Sequence, residues 1–596
     1  MVKNLVPKAE VLFEVSWEVC NKVGGIHTVL KSKVGQMLSL YKEYYLIGPY
    51  FPDAAKGHFV ELPHPQNCRT ACKELSDIGI VVHYGESLIG QRPKTLLIDF
   101  QPFFAQTNNI KKILWEEFKI DSLNSKFDFE EPVVWGWVVG IVLEKLAPLF
   151  KKKVVAQFHE WLCGSAILYL KRQNVDIGLT FTTHATVLGR ALANKGFDLY
   201  SKRGDHLALK DISPDQEAYT QKIQSKHQLE KASAQNADIF ATVSEVTAME
   251  AEHFLSKKPD ILMPNGINID DFPSREECSV QHAHLRDKIF RFLAYYFYPY
   301  YEINFNHTHL FFIASRYEFH DKGIDVFINA LGKLNENLKK AKSKETVVAF
   351  FWVPSGIRGI KPELIENRTF FEDIEQSIED KKERIMRRIL TSVLSEKKDL
   401  PLLPESINKD MFPKVLRFKR EDNIPPVCTH DIMAAHDNIL HAFHENNLKN
   451  LESDKVKVIF YPVYLTGADG LLNLDYYEAM QGSHFGVFPS HYEPYGYTPL
   501  ECASFCVTSL TSDVAGFGRY ISQKNHKNEG IYVLKRQNRS PEEITDDLAK
   551  TMFNYLKIPK NKRIELKFEA RSLAEQCDWK MLVNNYIDAH NRSIKG

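Results

Sequence analysis

Cysteine is scarce in this chain: nine residues in 596, too few and too scattered for a disulfide framework. Cys68 and Cys72 form a C-x3-C pair with no second pair at zinc-finger spacing, and Cys428, His430, His436, His441 and His444 show no helical ligand pair four apart, so no structural metal is expected. Excess charge is absent too. Lys+Arg and Asp+Glu both total 76, a balance that argues against a nucleic-acid partner while leaving room for a small basic pocket. No apolar run reaches membrane-spanning length. The longest uncharged run, Pro132 to Leu143 between Glu131 and Glu144, reads as a buried helix or strand pair. Met1 to Val11 is polar and lacks the apolar core of a signal peptide. Repeats and low-complexity tracts are missing as well. The expectation is a reduced, cytoplasmic, soluble protein with no membrane or nucleic-acid partner. Its apolar content of 44% is ample for two large cores.

What is present is alternation. Short apolar runs at Val11–Val15, Glu43–Ile47, Thr95–Ile98, Val154–Phe158, Gly178–Thr183 and Ile239–Val243 read as buried strands separated by amphipathic helices. The pattern resumes at Leu310–Ile313, Thr346–Trp352, Lys457–Phe460, Phe485–Phe488 and Val507–Leu510. Such alternation predicts parallel sheets covered on both faces, hence two α/β units. The expected division is 1–300, 301–575, and a terminal helix within 576–596, Trp579 to Ile594, packing back on the first unit. Two stretches without strand character are read as insertions that pack on a domain surface or on another subunit. One, at 281–301, is helical and then aromatic; the other, at 367–450, is charged and helical, with Phe370 to Leu394 the clearest helix.

In open α/β sheets ligands bind beyond the carboxyl ends of the strands, and the notable motifs come directly after strands. Lys22-Val-Gly-Gly25 precedes a helix; Gly24 and Gly25 let backbone approach a phosphate, although such a turn is also simply a turn. Phe158-His-Glu-Trp161 and Thr182-Thr-His-Ala-Thr186 place His159 and His184 at strand ends, with Arg190 shortly after; each histidine is also a plausible structural one. Arg316 and Lys322 come after the strand at 310–313, a planar fork and a point charge suited to clamping a diphosphate. The most informative run is Ser490-His-Tyr-Glu-Pro-Tyr-Gly-Tyr-Thr-Pro-Leu-Glu501. Glu493 is a loop carboxylate with nothing local to cap. The amides of Gly496, Tyr497 and Thr498 are expected at the same spot, an anion site beside a carboxylate. Thr498, Pro499 and Glu501 read as N-cap, N1 and N3 of a capping box.

The E-x7-E spacing of Glu493 and Glu501 resembles the signature of retaining nucleotide-sugar glycosyltransferases with two facing Rossmann-like domains, the GT-B fold. More closely, Glu14-Val-Ser-Trp-Glu-Val-Cys-Asn-Lys-Val-Gly-Gly25, Phe158-His-Glu-Trp161, Thr182-Thr-His-Ala-Thr186, Pro264-Asn-Gly266, Arg316-Tyr-Glu-Phe319, Pro425-Pro-Val-Cys-Thr-His430 and the 488–499 run resemble the animal and fungal glycogen synthases, over a span from about residue 10 to Asp578-Trp579. The resemblance implies a UDP-glucose donor, retention at the anomeric carbon, α-1,4 transfer to glycogen, a homotetramer assembled through the 367–450 helices, and neither metal nor other cofactor. It assigns Arg316 and Lys322 to the donor diphosphate, Glu493 to the reacting sugar, Glu501 to the ribose and Tyr476 to stacking on the base. His184 and Arg190 are placed near the glucose and its phosphates, and Lys22, Gly24, Gly25, His159, Asn265, Tyr495, Gly496, Tyr497 and Thr498 among the binding residues. A catalytically silent glucan-binding scaffold and a related transferase using ADP-glucose are the alternatives; the joint presence of Arg316, Lys322 and Glu493 argues against the first.

Regulation is where the chain departs from the family pattern. The family's arginine-rich helix, which reads glucose-6-phosphate, aligns here with Lys560, Asn561, Arg563, Lys567, Glu569 and Ser572. Arg563 alone remains arginine. Arg563 and Lys567 share a helix face, and His282 and Arg286 resemble the facing wall of an allosteric phosphate site. The long Ser-rich tails that carry phosphosites are missing from this sequence. The expectation is weakened or lost glucose-6-phosphate control, no phosphorylation control, and an enzyme active at rest.

Overall fold

The computed structural model describes residues 5–203, 205–394, 405–420, 423–525 and 527–594. The first sheet contains β1 (Val11–Val15), β2 (Glu43–Pro49), β3 (Phe59–Glu61), β4 (Val81–Ser87), β5 (Lys94–Asp99), β6 (Val154–His159), β7 (Gly178–Thr183), β8 (Ile239–Thr242) and β9 (Ile261–Leu262). Their order is β9-β8-β7-β6-β1-β2-β5-β4-β3. Neighbours are parallel except for the antiparallel β3–β4 and β4–β5 pairs. The second sheet contains β10 (Thr308–Ala314), β11 (Thr346–Trp352), β12 (Val456–Tyr461), β13 (Phe485–Val487), β14 (Thr508–Ser512) and β15 (Ile531–Leu534). It is wholly parallel, in the order β12-β11-β10-β13-β14-β15. Every predicted strand is present. The antiparallel strands β3, at the edge, and β4 beside it, and the terminal β15 carry exposed or half-buried positions, which is why no continuous apolar run announced them.

The uncharged run at 132–143 lies in one helix, Phe127–Leu146, whose residues from Pro132 to Leu143 are all buried. Contrary to the expectation from the uncharged run alone, the helical span Phe127–Phe150 is long and apolar enough to cross a bilayer by length and composition, because two or fewer charges leave a longer window apolar on average; here it is mostly buried as a core helix.

The insertions differ from expectation. Residues 281–297 do not sit on a surface: they belong to a helix, Arg275–Phe297, begun by a Ser274–Glu277 capping box. Leu285, Ile289, Phe292, Tyr295, Tyr296 and Phe297 are buried in the core of the second sheet, so this helix packs with the second unit, not with residues 1–300. Tyr295 and Tyr296 donate their hydroxyls to the carbonyls of Leu471 and Pro426, at 2.7 and 2.6 Å. The aromatic run is core filler in which Tyr301 also donates, to the Asn450 carbonyl at 2.6 Å, while the buried Tyr300 hydroxyl has no hydrogen-bond partner among the described residues. The charged stretch forms helices Pro362–Glu379, Lys382–Leu394, Glu405–Phe418 and Asn438–Glu445. The single helix expected from Phe370 to Leu394 breaks between Glu379 and Lys382. The stretch also holds a strand, His430–Ile432, paired antiparallel with Ile357–Ile360. Residues 395–404 lie outside the described residues.

The last helix, Trp579–Ser593, packs on the first sheet. Trp579 is fully buried and its indole donates to Ser32 Oγ at 2.8 Å. Tyr586 lies under the Lys33 ammonium, 3.8 Å from its ring centroid. Trp579→Ala is expected to cost about 3–5 kcal/mol, the range for truncating a buried aromatic. A shift of the denaturation midpoint worth under about 1 kcal/mol would show that this helix does not anchor the chain end.

Candidate active site

The second sheet reverses its strand order between β10 and β13, and at such a switch point the flanking loops splay apart and leave a crevice. The loop after β10 carries Arg316 and Lys322; the loop after β13 carries Glu493. They line one cavity of about 170 Å³ together with Gly496 and Thr498. Lys322 Nζ donates to Glu493 Oε2 at 2.6 Å and lies 3.7 Å from Glu318, whose other oxygen takes Arg316 at 2.8 Å. Arg316 is the exposed member, with 69% of its side chain accessible, while Lys322 and Glu493 are mostly covered. Two glycines shape the cavity. Gly323, at φ 70°, caps the next helix and has no room for a Cβ, which would fall 2.2 Å from the Pro489 carbonyl. Gly496, at φ 97°, turns the chain into the helix Tyr497–Ser504.

Behind the cavity the two loops are knitted together. The amides of His491 and Tyr492 donate to the Asp321 carbonyl at 2.9 and 3.1 Å. Arg536, after β15, donates to the Pro489 carbonyl and to His491 Nδ1, at 2.7 and 2.6 Å. His320, Asp325 and His491 bring three potential ligand atoms within 4.8 Å of one another. They do not form a metal cage. Arg536 occupies the lone pair of His491 Nδ1, so Nε2 holds the proton and faces Asp325 at 3.3 Å. Asp325, hydrogen-bonded to His320 at 2.9 Å, raises that histidine's pKa. The trio is a brace.

The first sheet contributes the opposite wall. Arg190, on the helix Val187–Ala193, is held charged against burial by the carboxylates of Glu160, Glu318 and Glu493, the last two from the opposite unit. His184 leads into that helix, and its amide and that of Ala185 both donate to Glu160 Oε1 at 3.1 Å. His159 is fully buried between His184 and Glu14, at 2.9 and 2.8 Å. It therefore supports His184 and does not line the cleft. Burial lowers the pKa of both histidines, strongly so for His184. Glu14 can only accept, so His159 Nε2 donates to it; His159 Nδ1 then accepts from His184 Nε2.

Several expected binding residues do other work. At Gly24 and Gly25 the helix N-terminus is already filled by a carboxylate of the protein: Glu18 Oε2 accepts the amides of Gly24 and His27, both at 2.9 Å, leaving Lys22 exposed alongside. Tyr495 and Tyr497 donate to the carbonyls of Asn265 and Gly266, the second at 3.1 Å. These two tyrosines and Asn265 therefore join the two sheets and do not line the cavity. The Thr498 capping box does not form, because Gly496 is the N-cap and no side chain caps the helix. Glu501 instead accepts from Tyr476 and Tyr477 at 3.1 and 3.0 Å. The distant cluster does assemble. His282 bonds the Gln481 carbonyl at 2.7 Å, and Arg563 contacts His309 at 2.8 Å. Half-buried Lys567 senses the charges of Arg286 and Arg563. His309 and His484, which pattern reasoning missed, stand between them.

Glu160 was also missed as a site residue, for a carboxylate at a strand end has no spacing signature. It is 7% exposed and adopts φ 68°, ψ 164°, a conformation that is nearly glycine-only. Burial raises its pKa to about 7, against Arg190 and the two amides. A carboxyl group that keeps its proton in the fold after the unfolded chain has lost it makes stability fall as pH rises from about 4.5 to 7. Glu160→Gln is expected to flatten that slope, by up to about 3 kcal/mol across the window. Denaturation midpoints of both proteins at pH 5 and pH 8 measure it; parallel profiles would place Glu160 in water.

A family profile described as glycogen synthase matches residues 14–596. The glycogen (starch) synthase of Neurospora crassa is 34% identical over 599 residues, covering 99% of this chain and 84% of that protein. The Caenorhabditis elegans enzyme is 34% identical over 600 residues, 98% and 88% of the two chains, and isoform 2 of Saccharomyces cerevisiae is 35% identical over 620, 98% and 86%. Among solved structures, the catalytic domain of starch synthase IV from Arabidopsis thaliana, bound to ADP and acarbose, aligns at a TM-score of 0.49 with 12% identity, over 98% of this chain and 99% of that one. The profile match and the identity shared along nearly the whole length establish that this chain belongs to the glycogen synthase family, hexosyltransferases that draw on a sugar nucleotide to extend a glucan.

Proposed function

We propose that the protein transfers glucose from UDP-glucose, with retention, to the non-reducing end of an α-1,4-glucan such as glycogen, in the cytoplasm. The observation that carries this reading is the Lys322–Glu493 pair, 2.6 Å apart in one cavity with Arg316 and the Gly496 turn. Departure of the nucleotide leaves an oxocarbenium-like sugar and a diphosphate with increased negative charge. Arg316, Lys322 and the amides of the Gly496–Thr498 turn stabilise the diphosphate; Glu493 faces the cationic sugar. When Lys322 turns to the diphosphate, Glu493 is released from its ion pair and becomes available to the sugar. Arg190 reaches the same charges from the other wall, so closure around the donor completes the clamp. A silent scaffold has no use for this set.

Incubating the protein with glycogen and either UDP-glucose or ADP-glucose tests the reading, with glucose incorporation as the measurement. UDP-glucose is expected to be the better donor. Glu493→Gln, equal in size and uncharged, is expected to lower kcat about 10²–10³-fold, as for one preorganised electrostatic group. Turnover near wild type would remove Glu493 from the mechanism.

A homotetramer is part of the same proposal. Met386, Leu390, Val393 and Leu394 on the helix Lys382–Leu394, with Phe412 and Leu416 on the helix Glu405–Phe418, are all at least half exposed. An apolar stripe of this kind favours burial against another subunit.

The basic cluster supports a reading of weakened glucose-6-phosphate control. Arg563 is already engaged by His309, itself bonded to Glu345 at 2.7 Å. Burial lowers the Lys567 pKa to about 7, reinforced by Arg286 and Arg563 and opposed by Cys506. Near neutrality Lys567 thus carries only part of its charge, and binding an anion there requires proton uptake. Titrating glucose-6-phosphate against initial rate is expected to give at most about threefold activation from an already active state. Activation of many-fold, abolished by Arg563→Ala, would overturn this.

A further inference from the structure

Glu250 has no part in the chemistry above, yet it is a fully buried carboxyl group placed between the two walls of the site. It lies on the helix Glu245–Phe254 and is 1% exposed. One oxygen accepts the Tyr200 hydroxyl. The other accepts the Thr186 hydroxyl and lies 3.5 Å from the hydroxyl of Tyr492. Thr186 is the N-cap of the helix that carries Arg190 and comes two residues after His184. Tyr492 comes from the opposite unit and immediately precedes Glu493. One carboxyl group therefore touches both loops of the candidate active site.

The packing around it is built for this contact. A Cβ on Gly189 would fall 2.1 Å from the Glu250 carboxylate, so only glycine lets the Arg190 helix lie over it. The Tyr492 ring is 6% exposed, stacks parallel to Tyr200 at 6.4 Å, and belongs to the core of the first sheet although its chain leaves the second. On the far side of Glu493, the Pro494 carbonyl accepts Ser244 Oγ at 2.7 Å. Ser244 caps the same helix that bears Glu250. Gly516 is bare where Pro494 and Ser244 meet, since its Cβ would stand 2.2 Å from the Pro494 carbonyl and 2.6 Å from Ser244 Cβ. Both neighbours of Glu493 are thus seated on one helix of the first unit.

We propose that Glu250 is a positioning residue: by receiving the Tyr492 hydroxyl it sets the place of Glu493 relative to His184 and Arg190, so that seating the loop and assembling the two walls are one event. The proposal rests on the reading of Glu493 given above. At 3.5 Å the Tyr492 contact is at the outer limit of a hydrogen bond, and contacts of this kind tighten when a site closes on its substrate. A misplacement of about 1 Å at a reacting group costs about 10²-fold in rate, so loss of one tether has a measurable effect on turnover. Burial raises the Glu250 pKa to about 7, while Thr186, Tyr200 and Tyr492 hold it down through their hydroxyls; the carboxyl is kept where three donors compete for it.

The test compares Tyr492→Phe, Glu250→Gln, their double variant, Tyr200→Phe and Glu493→Gln in the full-length protein, by kcat, donor KM, UDP binding and thermal midpoint. Tyr492→Phe keeps the stacked ring and removes only the hydroxyl. It is expected to lower kcat about tenfold, with donor KM, UDP affinity and thermal midpoint nearly unchanged. Glu250→Gln is expected to lower kcat similarly, and the double variant to fall no further than the worse single one, because both remove the same contact. Tyr200→Phe relieves the same carboxyl of a donor within one unit and is expected to change kcat less than threefold. The proposal is overturned if Tyr492→Phe keeps wild-type kcat, if its loss lies in KM alone, if the two losses multiply, or if Tyr200→Phe matches Tyr492→Phe. The Tyr492→Phe and Tyr200→Phe pair decides the matter even if Glu250→Gln does not fold. An inactive Glu493→Gln beside a fully active Tyr492→Phe defeats the positioning role alone; an active Glu493→Gln defeats the reading beneath it.

Discussion

The candidate active site is divided between two sheets, and it exists only where residues 492–497 dock on the first unit. Tyr492 enters the first core, the Pro494 carbonyl takes Ser244, and Tyr495 and Tyr497 reach the carbonyls of Asn265 and Gly266. Parallel sheets deliver their functional loops at the carboxyl ends of strands. Two such sheets build a common site only if those edges face each other at hydrogen-bonding distance. Tyrosine suits this seam, since its ring fills apolar space while its hydroxyl finds a backbone acceptor.

A second constraint lies beneath His184. Glu14 and Lys33 are both fully buried and 2.5 Å apart. Removing two charges from water is costly, and such a pair needs further hydrogen bonds or ring contacts to offset that cost. Here Tyr44 donates to the free oxygen of Glu14 at 2.5 Å, His159 to the shared one, and the Tyr586 ring faces the ammonium. Tyr586 comes from the last helix and His159 holds His184, so the end of the chain and the cleft wall share one polar network. His590 of the same helix bonds Tyr41 and Gln157, at 2.6 and 3.0 Å, which extends that network across the first sheet.

The basic cluster and the candidate active site stand in different electrostatic settings. Arg316 projects into solvent and Lys322 is paired with a carboxylate. In the distant cluster the cations face histidines kept neutral by burial: His282 is lowered to about 3 and His309 to about 4. Neutral histidines let Arg563 and Lys567 approach without adding repulsion. The outcome is a compact basic patch whose charge is partly withdrawn.

The strand-end motifs at 159, 184, 316–322 and 490–498 were legible because parallel strands are continuous apolar runs and the loops after them lie at the binding edge by topology. The order of the second sheet was not legible, nor was the role of the 281–297 helix. An all-round aromatic helix looks the same from sequence whether it fills a core or meets a partner. Thr498-Pro-Leu-Glu501 satisfied the capping pattern, yet the helix begins one residue earlier with Gly496 as its N-cap, and Tyr476 and Tyr477 take the Glu501 carboxylate. Sequence by itself determined the α/β class, the two units, the family and the charged side chains of the cavity, since these depend on local periodicity and on residue types at strand ends. Tertiary structure alone decided that Glu18 fills the Gly24–Gly25 turn, that Glu160 and Glu250 are buried acids at the cleft, and that Tyr495 and Tyr497 join the two units. Each of those outcomes depends on which distant donor lies within about 3 Å of a given acceptor, a distance that only the packed chain defines.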